Sequence, residues 1–106
     1  MEWISGNIFI RPNNLENVGD KAVGHKHNFD HTTIIYKGAV HVKATAPDGS
    51  VREADFEAPN HFLVRADTEH EITATQPHTV FWCVYSHHTP QGEVSQVYDG
   101  WMKAYG

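Results

Sequence analysis

Two histidines separated by one residue, in Gly24-His25-Lys26-His27, open the stretch of this chain where chemistry is concentrated. On a β-strand, positions i and i+2 project from the same face, so both imidazoles can reach one ion while Lys26 points away. His31 follows across Asn28-Phe29-Asp30, where a turn lets the next strand return it to the same spot. His70 stands near the start of a later strand, behind the Ala66-Asp67-Thr68 turn. Two ligands from one strand and two from neighbouring strands crowd one side of a metal and leave the other open. Three or four imidazoles suit iron, nickel, copper, zinc or manganese and disfavour calcium and magnesium. One divalent transition metal per chain, with iron slightly favoured, is therefore expected on His25, His27, His31 and His70.

Nine histidines exceed the eight Lys and Arg together, and they are spread along the chain. His41 falls mid-strand, and His61, His78, His87 and His88 fall near turns or strand ends, where a surface or cavity-edge place is expected. Neighbours on a strand point to opposite faces, so His87 and His88 do not share an ion.

The elements that must position these residues read as strands. Short segments rich in β-branched and aromatic residues are expected at Ile8–Arg11, Ala22–Phe29, Thr32–Tyr36, Ala39–Thr45, Ser50–Phe56, His61–Val64, His70–Ala74 and Thr79–Tyr85. Turn residues separate them: Pro12-Asn13-Asn14, Lys37-Gly38, Pro47-Asp48-Gly49, Pro59-Asn60, Arg65-Ala66-Asp67 and Gln76-Pro77. Ala-Pro-Asp-Gly between the fourth and fifth segments is a hairpin signal. Eight short strands imply a closed barrel or jelly roll, because closure removes exposed edges. From Gly92 the pattern changes: Val94, Val97, Trp101 and Tyr105 recur at spacings of three and four, which predicts a short helix or docking arm.

Composition bounds the function. The chain has 106 residues, one domain's worth, and 40% of them are apolar, which argues for a folded globule. A net charge of −5 with scattered acids and bases offers no footprint for nucleic acid and no basic face for a membrane. The opening MEWISGNIFIRP lacks a charged start and an apolar run, so no signal peptide is expected. A single cysteine, Cys83, has no internal partner, which fits a reducing cytoplasm.

The stretch from Gly19 to Gly38 resembles the first motif of the cupin superfamily: a glycine, five residues, His-x-His, three or four residues, Glu, six residues, glycine. Here Gly19, five residues, His25-Lys26-His27, three residues, His31, six residues and Gly38 keep every spacing, with His31 in place of the glutamate. The second motif, a Pro-x-Gly turn followed by a histidine, is degraded. Arg65 and Asp67 stand where proline and glycine are expected, and His70 stands at the histidine. The resemblance spans residues 7 to 86 and implies one cupin-type jelly-roll barrel domain over residues 1–106, usually dimeric, with a metal in its mouth. Carried over residue by residue, it makes His25, His27 and His70 ligands. His31 either replaces the carboxylate ligand or swings away as a hydrogen-bonded pocket residue. Four neutral imidazoles leave the ion its full dipositive charge, which strengthens its pull on an anionic or enolate-like ligand. Each ligand's second nitrogen needs a partner, for which Asp30 is available. Glu69 and Glu71 alternate away from His70.

Strand alternation extends the lining. With His31 inward, Thr33 and Ile35 follow; with His70 inward, Ile72 and Ala74 follow. On the last strand either Phe81, Cys83 and Tyr85 or Val80, Trp82 and Val84 face inward. The first set brings a thiol and a phenol near the metal to bind substrate or move protons, which makes Cys83 and Tyr85 the candidate catalytic residues. Nothing near Cys83 in sequence lowers its pKa, so a small buried hydrophobe is its plainer role.

Two classes of function remain. One is a metal-dependent enzyme, a dioxygenase-like oxidoreductase or a lyase or isomerase, that polarises a small organic molecule. The other is a non-enzymatic module that captures a small molecule or a metal. The cupin superfamily hosts both, and fold alone does not choose. The aromatic residues at both ends, Trp3, Phe9, Trp101 and Tyr105, are expected to bury against a partner chain in a homodimer.

Overall fold

Alternation of apolar and polar residues dictates strands, and strands are what form. The computed structural model describes residues 3–23 and 29–86. Nine strands run in order: β1 Trp3–Ser5, β2 Ile8–Leu15, β3 Lys21–Val23, β4 His31–Lys37, β5 Ala39–Thr45, β6 Val51–Glu57, β7 Asn60–Val64, β8 Glu69–Ala74 and β9 Thr79–Ser86. They build two antiparallel sheets, one ordered β1-β2-β9-β4-β7 and the other β3-β8-β5-β6. The inward faces meet in one core. Phe9, Ile35 and Phe81 come from the first sheet and Val40 and Ile72 from the second, each essentially fully buried. Burial of a side chain of this size stabilises the fold by about 1.5–3 kcal/mol.

The hairpin expected at Pro47-Asp48-Gly49 joins β5 to β6. Asp48 Oδ1 accepts hydrogen bonds from the Ser50 backbone N–H at 2.9 Å and the Ser50 hydroxyl at 2.7 Å, closing the turn. Strand β6 lies at the edge of its sheet, and only Phe56 on it is partly buried. Its charged residues, Arg52, Glu53, Asp55 and Glu57, keep that edge from recruiting another strand.

Several expectations need correction. Pro12-Asn13-Asn14 is not a turn; it lies within β2, with Pro12 opposite Trp82 of β9. β1 covers β2 only as far as Ile10, so among the described residues Pro12 has no strand on its outer side and its missing N–H interrupts no ladder there. The three-residue β1 was not expected. The segment expected as a strand over Ala22–Phe29 is strand only over Lys21–Val23, with residues 24–28 outside the described residues and Phe29 in a bend. The helix or arm expected from Gly92 also lies outside them. Phe9 is no interface residue: it is 1% exposed, stacked on Tyr85 in the chain's own core.

Candidate metal centre between the two sheets

His31 begins β4 in one sheet and His70 is the second residue of β8 in the other. The pleat turns both inward. His31, Thr33 and Ile35 are buried along β4, as are His70, Ile72 and Ala74 along β8. The imidazoles are 4% and 6% exposed, and their ring centroids lie 5.2 Å apart with the planes tilted by 54°. Two imidazoles that each bind one ion through a nitrogen about 2.1 Å away have centroids about 4.5–5.5 Å apart. The donor set and its spacing therefore fit a divalent transition metal. Among the described residues no group of three or more His, Cys, Asp or Glu is placed to hold an ion. His25 and His27 lie outside them. The chain leaves β3 at Val23, opposite Glu71 and one residue from His70, and is described again from Phe29, two residues before His31.

The open choice on β9 is decided by pairing. Thr33 stands opposite Cys83 and Ile35 opposite Phe81, so Thr79, Phe81, Cys83 and Tyr85 are the buried face. Tyr85 is held between Phe9, at 4.8 Å, and Phe29, at 4.5 Å, and Phe29 meets His31 edge-on at 6.5 Å. A row of rings thus runs from the core to the histidine pair. The Cys83 thiol contacts the Thr33 hydroxyl at 3.9 Å and the Asn13 amide at 4.0 Å. Burial pushes its pKa up to about 11, so at neutral pH it is a protonated thiol rather than a nucleophilic thiolate.

The turns that deliver the histidines are built locally. Asp67, at the place of the family's glycine, has φ of +59°. Aspartate is among the few residues that tolerate this left-handed backbone, so the turn survives the substitution. Asp30, available as a partner for a ligand's second nitrogen, accepts the Ala66 N–H at 2.7 Å through Oδ1 and ties the His31 end of β4 to the turn before His70. Glu69 is exposed, and Glu71 pairs with Lys21 at 2.9 Å outside the barrel. His41, His61 and His78 are at the surface. His41 bridges Asp55 at 2.7 Å and Glu53 at 3.0 Å, and both carboxylates raise its pKa above the usual value. His78 faces Glu16 at 3.0 Å. His87 and His88 lie outside the described residues.

A cavity of about 410 Å³ lies between β5, β6 and β7, lined by ladder neighbours of the two histidines though not by the histidines themselves. Ala44, opposite His70 in the β5–β8 ladder, and Val64, opposite His31 in the β4–β7 ladder, both line it. No motif marked this lining as a whole, because its residues come from β5, the β5–β6 turn, β6, β7 and the turn after β7.

Two sheets with inward imidazoles at one end define the class: the fold is the cupin-type jelly roll that the first motif implied. Solved structures share it. An oxalate decarboxylase from Lactobacillus farciminis, in a formate complex, is 22% identical, matches over 77% of this chain and 24% of its own, and has a TM-score of 0.68. A mutant oxalate decarboxylase from Bacillus subtilis is 16% identical over 87% of this chain and 23% of its own, with a TM-score of 0.70. KdgF from Halomonas sp. is 17% identical over 82% of this chain and 76% of its own, with a TM-score of 0.62. The chain spans about a quarter of the length of the oxalate decarboxylases it matches. No family model matches the chain, and neither does any curated protein. Among the described residues, no helix is long and apolar enough to cross a membrane.

Proposed function

We propose that this chain is a metal-binding cupin-type enzyme in which His25, His27, His31 and His70 hold one divalent transition metal and act on a small organic molecule. The buried His31–His70 pair, drawn from opposite sheets at 5.2 Å, carries the reading. The cavity lined by its ladder neighbours and a fold shared with a decarboxylase favour an enzyme over a capture module. Bound there, such an ion supplies Lewis-acid polarisation of a substrate oxygen. The protein's own residues do the rest. Tyr85, Phe29 and Phe9 wall the centre with packed rings and exclude water on that side. Asp30 fixes the turn that presents His70. The Cys83 thiol remains protonated and neutral, part of the packing below the site.

The test is elemental analysis of untagged protein purified without chelators, beside a His31→Gln/His70→Gln variant. Near-stoichiometric iron, nickel, zinc, manganese or copper in the native protein and its loss in the variant support the reading. No metal in the native protein, even after reconstitution, overturns it. Iron directs assays to oxygen consumption on electron-rich substrates, and zinc or nickel to lyase and isomerase substrates.

We also propose that two copies pair through the outer face of the β1-β2-β9-β4-β7 sheet. Tyr36 stacks on Trp82 there at 5.4 Å, Trp3 meets Trp82 edge-on, and Tyr36 and Leu63 are 64% and 53% exposed. A monomer in sedimentation equilibrium at micromolar concentration refutes this pairing.

A further inference from the structure

We propose that the cavity formed by β5, β6 and β7 binds a small organic molecule with an apolar body and a carboxylate, and that Arg52 and Arg65 hold the carboxylate. Val42, Ala44, Phe62 and Val64 form an apolar wall. Its volume of about 410 Å³ lies in the range of pockets that enclose small organic ligands. The polar part of the lining is as specific. The chain contains three arginines, and two of them, Arg52 and Arg65, line this one cavity. Arg52 stands opposite Ala44 in the β5–β6 ladder and therefore shares its cavity-facing side, whereas Glu53 and Asp55 alternate outward to His41. Acids outnumber Lys and Arg by thirteen to eight, yet neither guanidinium has a carboxylate partner among the described residues. A planar guanidinium presents paired donors that match a carboxylate, and two of them beside an apolar wall select an acid with a hydrocarbon body over a neutral or cationic molecule. Thr68, half-buried on the same rim, adds a hydroxyl.

Ala44 and Val64, which line the cavity, stand one ladder step from His70 and His31, which do not. The inference deepens the proposed function by naming a substrate class. Binding stands without the metal, and only the reaction of the bound molecule rests on that reading.

The experiment titrates phenylacetate, and separately its neutral amide, into the full chain and into an Arg52→Gln/Arg65→Gln variant. Amide NMR shifts are the readout, and metal content is measured in parallel. The expected result is saturable shifts at residues 44–46 and 64–68, with the acid bound at least about tenfold more tightly than the amide. The double variant loses about tenfold or more in acid affinity and keeps its amide affinity. Lys43→Gln, which removes a charge from the other side of β5, leaves both unchanged. Equal binding of acid and amide, shifts centred elsewhere, or an equal loss with Lys43→Gln each overturns the inference. The acid–amide comparison on the unaltered protein holds whether or not the variant folds. Acid binding by protein that takes up no metal refutes the metal reading and leaves this one intact; metal uptake without acid binding does the reverse.

Discussion

Replacing Gly38 with alanine strikes the corner where the chain passes from β4 in one sheet to β5 in the other. Its φ is +83°, a backbone that costs an L-residue about 1–2 kcal/mol. The same strain applies to Gly19, where φ is +93° and an added Cβ meets nothing within 4 Å. At Gly38 the new methyl would overlap the Thr79 hydroxyl and stand 2.8 Å from Thr79 Cα, which is backbone and cannot swing aside. Thr79 is fully buried, and its hydroxyl bonds the Gln76 carbonyl at 2.9 Å and the Ala39 backbone at 3.3 Å. Overpacking of this kind costs about 1–3 kcal/mol, and disturbing the hydroxyl network about 1 more. Gly38→Ala should therefore lose about 3–6 kcal/mol, while Gly19→Ala loses about 1, partly offset by its stiffer unfolded chain. Urea unfolding followed by far-UV circular dichroism reads both as midpoint shifts at unchanged slope. Equal losses in the two variants would show that the Thr79 contact carries no weight and would refute the reasoning.

At Asp67, where φ is already +59°, Asp67→Gly should be nearly neutral and Asp67→Val should cost about 1–2 kcal/mol in the same unfolding assay; a tolerated valine would mean that the turn is not held left-handed. His41 should titrate above its ordinary pKa because Glu53 and Asp55 favour the imidazolium. A folded pKa above the unfolded one adds stability that is complete below the unfolded pKa and fades as pH rises through the folded one. Stability of wild type relative to His41→Gln should therefore fall between slightly acidic and slightly alkaline pH, and a flat difference refutes the pairing. Cys83, buried and with its pKa pushed up to about 11, should resist iodoacetamide at pH 8 in the native protein and react on unfolding; prompt native labelling would contradict its placement.

Much was legible before any folding, because it depends on spacing along one strand or across one turn. The intervals from Gly19 through His31 to Gly38 pointed to the fold, and both glycines prove to have the left-handed backbone that a side chain resists. The two-residue period alone linked His31 with Thr33 and Ile35, and His70 with Ile72 and Ala74. That period cannot say which alternating set of β9 turns inward, since both are apolar; the pairing of Thr33 with Cys83 decides it. Nor does it foresee that Pro12 lies in a strand, because only the short reach of β1 leaves its outer side without a ladder. His31 and His70 were each legible, but their 5.2 Å separation belongs to the packing of two sheets. Arg52 gave no signal and Arg65 only a departure from the second motif's proline: thirteen residues apart, they line one cavity because β6 and β7, which Arg65 follows, are edge strands of opposing sheets. Local chemistry sets which way each side chain can point, and long-range pairing alone sets what it points at.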